Sequence, residues 1–158
     1  MENDKGLRKH LQKLLDWQDA HVNFDTAIED IPEKFRGVKP EGLPYSIWQL
    51  LEHLRLCQLD ILDFCRDPNY KDPTFPDDLW PKDSEPPHTD AWNKSIAAFR
   101  KDRDDLNQLA SDSKIDLFAK IPHGSGQTYL RELLLVADHN AYHVGEIVAV
   151  RRLLGIWH

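Results

Sequence analysis

Residues 67–88 read DPNYKDPTFPDDLWPKDSEPPH, and this stretch with its six prolines divides the chain into two helical parts. Proline lacks a backbone N–H and clashes with the preceding turn, so the segment cannot be helical. When extended, its 22 residues reach well beyond the length of about 30 Å that a 20-residue helix has. It either carries the chain back along the bundle as a crossover or lies as a surface lid over an up-and-down bundle. We favour the crossover.

Two helices are predicted before this proline-rich segment. The first covers residues 4–30, where apolar residues recur with helical spacing. Prolines and glycines between residues 32 and 44 then mark a connection. The second helix begins at Ser46, which forms a capping-box pattern with Gln49 three residues later, and it ends near Arg66.

Two further helices are predicted after the proline-rich segment. The third opens at Thr89, and the fourth is capped by Thr128 and stops at Gly155. Four amphipathic helices in 158 residues predict an all-α four-helix bundle that forms a single domain over residues 1–158. A long crossover between helices two and three would leave those two helices parallel, with antiparallel neighbours on either side.

Composition and charge narrow the range of partners. A formal net charge of −7 argues against nucleic acid, because binding a phosphate backbone requires a basic surface. No apolar run approaches the roughly 18 residues that cross a bilayer, and the charged N-terminus lacks the apolar stretch of a signal peptide. We therefore expect a cytoplasmic protein without a membrane partner.

Cys57 and Cys65 are about 12 Å apart along one helix, too far for a disulfide, and are predicted to be buried.

Four histidines are predicted to face the interior of the bundle. His139 and His143 are one helical turn apart on the apolar face of the fourth helix. His53 lies on the apolar stripe of the second helix, and His21 is in line with the apolar residues of the first. The remaining histidines are expected at the surface or at a terminus: His10, His88, His123 and His158.

Buried imidazoles in this arrangement indicate a metal site. Each one without a partner costs about 1–3 kcal/mol, whereas a divalent metal takes neutral imidazole as its commonest nitrogen ligand. A pair from one helix with a third histidine from a neighbour gives three ligands and leaves one side open, as in catalytic sites. The alternative is a metal-free core in which the histidines are hydrogen-bonded to carboxylates.

Two stretches of the chain carry a family resemblance. LPYSIWQLLEHLRLCQLDIL (43–62) and TYLRELLLVADHNAYHVGEIV (128–148) resemble the DinB/YfiT-like family of four-helix bundles, which has a long crossover after its second helix. The family's metal-binding triad has one histidine after S-x-W-x-L-L-x-H and two in a terminal H-x-x-x-H helix. The matching positions here are His53, His139 and His143.

One position departs from that pattern. Where the family commonly ends H-x-G-Q, this chain has Glu146 as the last residue. Glu146 is one turn from His143 and could hold the ligand imidazole, accept a proton or face solvent. We favour contact with the imidazole or a surface position over catalysis.

The resemblance implies a divalent-metal-dependent enzyme with Zn, Ni, Fe or Mn as its cofactor. Relatives of this kind resemble transferases that join a low-molecular-weight thiol, such as bacillithiol, mycothiol or glutathione, to a small electrophile. On this reading His21 is a catalytic base, a substrate contact or a fourth ligand, unless it is simply exposed. A metal-dependent hydrolase, a non-catalytic metal-binding or stress-associated bundle and a metal-free interaction module are the alternatives.

The expected partners are a small-molecule substrate and, from the resemblance, a second copy of the chain. Five tryptophans are many for this length, and some of them could line a substrate pocket or a dimer contact, although most are expected in the core. They are Trp17, Trp48, Trp80, Trp92 and Trp157.

Overall fold

The computed structural model describes residues 2–16 and 20–157, which form an all-α structure in which no strand is present. Its helices are α1 (Glu2–Asp16), α2 (Phe24–Ile28), α3 (Ile47–Arg66), α4 (Ala91–Ser111) and α5 (Tyr129–Leu153). The four long helices α1, α3, α4 and α5 form a bundle, which confirms the predicted fold class. Trp17 and His158, to which the sequence analysis assigned positions, lie outside the described residues.

The crossover between α3 and α4 leaves these two helices parallel. Gln58 in the middle of α3 donates a hydrogen bond to the backbone oxygen of Phe99 at 2.8 Å. At the end of α3, Arg66 pairs with Asp105 at 3.1 Å, so the contacts advance along both helices in the same direction. Residues 67–90 contain no helix, and they carry the chain back along the bundle. The predicted crossover is therefore confirmed.

The antiparallel packing of α3 and α5 brings the predicted histidines to one level. Asn140 on α5 donates a hydrogen bond to the side-chain oxygen of Gln58 on α3 at 2.8 Å. His53 is five residues before Gln58 on α3, and its ring contacts that of His143, which is three residues after Asn140 on α5. Contacts that advance in opposite directions define an antiparallel pair.

The helix ends follow from local capping. Ser46 accepts a hydrogen bond from the backbone N–H of Gln49 while the Gln49 side chain accepts one from the Ser46 backbone, which is the predicted capping box. The predicted start of α4 is two residues early, because this helix begins at Ala91. Asp90 precedes it without a capping hydrogen bond, and its carboxylate pairs with Lys94 instead.

The prediction of one continuous helix over residues 4–30 is wrong. Helix α1 ends at Asp16, and residues 20–23 are not helical. The side chain of Asn23 accepts a hydrogen bond from the backbone N–H of Thr26 at 2.8 Å and so starts α2 as a separate helix. Asparagine favours such caps because its side chain competes for backbone hydrogen bonds.

Two apolar clusters form the core, and polar residues lie between them. On α3 the first cluster ends at Leu54 and the second begins at Ile61, with Gln58 buried between the two. On α5 the second cluster ends at Ala137 and the first resumes at Val144. His139 and His143 therefore lie in the gap between the clusters on α5, and His53 lies beside Leu54, at the end of the first cluster on α3.

Two further expectations concern the cysteines and the membrane. Cys57 and Cys65 are buried and unbridged, as predicted. Among the described residues, no helix combines the length and the apolar character that spanning a bilayer requires.

Candidate metal centre

His53, His139 and His143 form a compact group between α3 and α5. The ring centroids are 4.5–5.0 Å apart, and the Nε2 atoms of His53 and His139 are 3.2 Å apart. One ring nitrogen from each residue lies within 4.8 Å of the other two. His53 and His143 are only 4% and 8% exposed, and His139 is partly buried. The structure thus brings together the three histidines that the sequence singled out.

Hydrogen bonds at Nδ1 orient two of these rings. The Nδ1 atom of His53 is 2.7 Å from the backbone oxygen of Leu79 in the crossover. The Nδ1 atom of His143 is 2.6 Å from a carboxylate oxygen of Glu146. Because both partners are acceptors, Nδ1 must carry the proton in each ring, which leaves the lone pair on Nε2. Such partners fix the tautomer and orientation of metal-binding histidines.

Aromatic side chains surround the group on the crossover side. Trp80 stacks on His53 with ring centroids 3.8 Å apart and planes 10° from parallel. Tyr45 stacks in turn on Trp80 at 5.9 Å, and its hydroxyl donates a hydrogen bond to Glu146. The ring of Tyr142, which is 65% exposed, meets His143 edge-on at 4.9 Å. Tryptophans near a pocket were expected from the sequence in general terms, whereas Tyr45 and the Leu79 carbonyl were not anticipated.

Burial keeps the three imidazoles neutral. It lowers the pKa of His53 and of His143, against the opposing influence of Leu79 on the first and of Glu146 on the second. Burial, together with the nearby His143, lowers the pKa of His139 to about 4. Near neutral pH all three rings therefore have the neutral form, with one nitrogen lone pair free to bind a metal ion. Burial and Glu146 raise the pKa of Tyr45 to about 12, so its hydroxyl remains a donor.

The donor set and its spacing suit a divalent metal ion. Tetrahedral ligands at about 2.0–2.1 Å from zinc are about 3.3–3.4 Å apart, close to the 3.2 Å between the Nε2 atoms of His53 and His139. The Nδ1 atom of His139 is buried without a hydrogen-bond partner in the described part of the chain. The Nε2 atom is therefore the nitrogen of this ring that contacts the histidine group. Three neutral imidazoles could hold the ion and leave a coordination position for another molecule.

The sequence matches the model of a known protein family. The family model of the DinB superfamily matches residues 16–147. The chain belongs to the DinB superfamily. The match spans the crossover, the three histidines and Glu146. No curated protein and no solved structure matches the chain.

His21 lies elsewhere in this DinB-superfamily chain. It was expected to face the interior at the level of His53, but it is exposed in the segment before α2, where its Nδ1 is 2.9 Å from the backbone oxygen of Val22. It is not part of the three-histidine group. The interior position was wrong because it assumed a continuous first helix, and the chain is not helical at residues 20–23.

The metal-free DinB-superfamily protein is expected to lose stability as the pH falls from about 6.5 to about 4. An unfolded histidine takes up a proton near pH 6.5, whereas folded His139 does so only near its pKa of about 4. Between these values the unfolded state binds more protons, so the free energy of unfolding decreases as the pH falls, by on the order of 1–3 kcal/mol for this residue. Urea unfolding of chelator-treated protein between pH 4.5 and 7.5 measures the decrease.

The variant His139→Gln separates this effect from the titration of carboxylates. It should lose less stability than the wild type over the same pH range, and His10→Ala, at an exposed position on α1, should behave like the wild type. If His139→Gln and the wild type lost the same free energy of unfolding, the pH dependence would not come from His139.

Proposed function

We propose that this protein binds one divalent metal ion through His53, His139 and His143 and acts as a low-molecular-weight-thiol transferase. The observation that carries the proposal is the convergence of three neutral imidazoles from two helices, with Nε2 atoms as close as 3.2 Å. Zn, Ni, Fe and Mn all accept imidazole ligands. The thiol and the electrophile are proposed from the resemblance to thiol-dependent members of the family.

The residues around the site suit the handling of a small molecule. A divalent ion bound there would supply Lewis acidity that makes a thiol or water ligand more acidic near neutral pH. Leu79 and Glu146 hold two of the imidazoles in one tautomer, so the donor set needs little reorganisation. Trp80 covers His53 and shields it from bulk water. In the transfer itself the thiol sulfur forms a new bond to carbon, the thiol proton is released and the leaving group departs from the electrophile.

Two ionisable residues were candidates for accepting that proton. Glu146 contacts the histidine group, but its carboxylate already accepts hydrogen bonds from His143 and Tyr45, so we assign it to positioning. A catalytic role for His21 stays a prediction. It requires that His21→Ala lower turnover without lowering metal affinity.

The remaining parts of the proposal concern partners and location. We propose a small-molecule substrate in place of nucleic acid, because the net charge of −7 disfavours a phosphate backbone. A homodimer is also proposed, from the family resemblance, and the cytoplasmic location expected from the sequence is kept as a proposal.

The activity prediction is tested with metal-loaded protein, the three thiols in turn, and 1-chloro-2,4-dinitrobenzene or monobromobimane as the electrophile. We expect turnover that is lost with a chelator, returns with added metal and falls at least about 100-fold in His143→Ala. His10→Ala, at an exposed position on α1, is the matched control and should retain full turnover. If no pair reacts, or if the chelator leaves the rate unchanged, the transferase assignment is wrong.

The same assay distinguishes the alternatives. The ligands come from α3 and α5, so a bound ion would join these two helices, which favours a non-catalytic metal-binding bundle as the second candidate. That candidate predicts strong thermal stabilisation by metal with no turnover. A hydrolase would consume an activated ester without any thiol.

A further inference from the structure

Tyr45, Glu146 and His143 form a continuous chain of hydrogen bonds. One carboxylate oxygen of Glu146 accepts the hydroxyl hydrogen of Tyr45, and the other is 2.6 Å from Nδ1 of His143. Tyr45 and Glu146 are both partly buried. An ionised carboxylate only accepts hydrogen bonds, and each of its oxygens here has a donor.

Tyr45 occupies a position from which it can hold this carboxylate in place. It precedes Ser46, the cap of α3, and its ring stacks on Trp80 of the crossover with planes 22° apart. The tyrosine is thus fixed by two elements, while the glutamate it contacts is on α5. A glutamate side chain loses conformational freedom when it is held at both oxygens, and a rigid neighbour makes that easier.

We propose that Tyr45 is a positioning residue of the metal centre, which keeps Glu146 against His143 so that His143 presents Nε2 to the ion. The inference rests on the proposed function only in its metal site and not in the thiol reaction. It gives the connection before α3 a role in metal affinity, although that connection contributes no ligand.

The first test compares Zn²⁺ affinity in two tyrosine variants. Y45F removes the hydroxyl and keeps the ring, and we expect a Kd for Zn²⁺ about 3–10 times higher than in the wild type, somewhat less than the 10–100-fold typical for direct partners of a ligand. The matched control is Y70F. The Tyr70 hydroxyl donates a similar hydrogen bond to Asp60, at 2.6 Å, and this pair is not part of the histidine group. Y70F should leave the Kd within about twofold of the wild type. Competition with a chromophoric chelator measures both variants.

The second test asks whether Tyr45 acts through Glu146. In an E146A background the Y45F substitution should have no further effect on the Zn²⁺ Kd, because the carboxylate it holds is gone. A merely structural tyrosine would weaken binding equally in both backgrounds. An equal loss in the two backgrounds, or a Y45F Kd within twofold of the wild type, overturns the inference.

A measurement on metal-free protein tests the role of Tyr45 independently of the proposed function. In chelator-treated wild-type protein, ¹⁵N NMR should show His143 protonated at Nδ1, and Y45F should shift it towards a mixture of tautomers. If the wild type binds no Zn²⁺, the proposed metal site fails while the tautomer measurement still decides the role of Tyr45. An unchanged His143 tautomer in folded Y45F contradicts the inference.

Discussion

Replacing His143 by alanine is expected to raise the Kd for Zn²⁺ by about 10²–10³-fold. Structural zinc sites with four ligands gain about 10–16 kcal/mol in all, so one ligand contributes on the order of 3–4 kcal/mol. His53→Ala removes the single ligand on α3 and should cause a loss of the same size. Competition against a chelator of known affinity measures each Kd.

The control for these variants is a histidine of the same chain that does not belong to the site. His10 is exposed on α1, and His10→Ala should bind Zn²⁺ as the wild type does. If His53→Ala and His143→Ala retained wild-type affinity, the ion would have to bind elsewhere. If only one of them lost affinity, the three imidazoles would not act as one site.

Zinc is also expected to raise the melting temperature of the chelator-treated protein by about 8–16 °C. An ion that binds only the folded state at a free concentration of a thousand times its Kd adds about 4 kcal/mol to the free energy of unfolding. For a chain of 158 residues each kcal/mol shifts the melting temperature by about 2–4 °C. Differential scanning calorimetry with increasing Zn²⁺ measures the shift.

Substituting one of the histidine ligands shows whether this increase in melting temperature comes from Zn²⁺ bound at the proposed site. His139→Ala, whose Kd should rise by the same factor of about 10²–10³, should gain only about 1–6 °C at that Zn²⁺ concentration. Y70F should show the full increase because its hydrogen bond to Asp60 lies elsewhere. A similar increase in His139→Ala would assign the effect to non-specific binding.

Much of the architecture could be predicted because its signals are local. The capping box at Ser46 and the prolines of residues 67–88 set the bounds of α3 and the existence of the crossover. The histidines could be placed together because a helix fixes the spacing of His139 and His143, and antiparallel packing brings α3 alongside. These inferences needed only helical geometry and chain lengths.

The first helix shows where periodicity fails. Apolar residues continue with helical spacing across residues 20–23, so the pattern could not reveal that the chain leaves the helix there. The second helix starts where the side chain of Asn23 accepts a hydrogen bond from the backbone N–H of Thr26, a contact that periodicity does not reveal. His21 was placed in the interior for the same reason.

The contacts around the histidines could not be predicted from the sequence, for a different reason. Leu79 contacts His53 through its backbone oxygen, which every residue possesses and no sequence pattern reveals. Tyr45 and Glu146 are far apart in the chain and meet only because the connection before α3 packs against α5. Such contacts depend on the detailed path of loops, which spacing and composition do not determine.

Anomalous X-ray diffraction at the zinc edge, on crystals of the untagged protein grown with Zn²⁺, would locate the ion and its ligands. We expect one strong peak per chain, bonded to Nε2 of His53, His139 and His143. Zinc bound only at other residues, or no peak despite Zn²⁺ in excess, would contradict the proposed metal site.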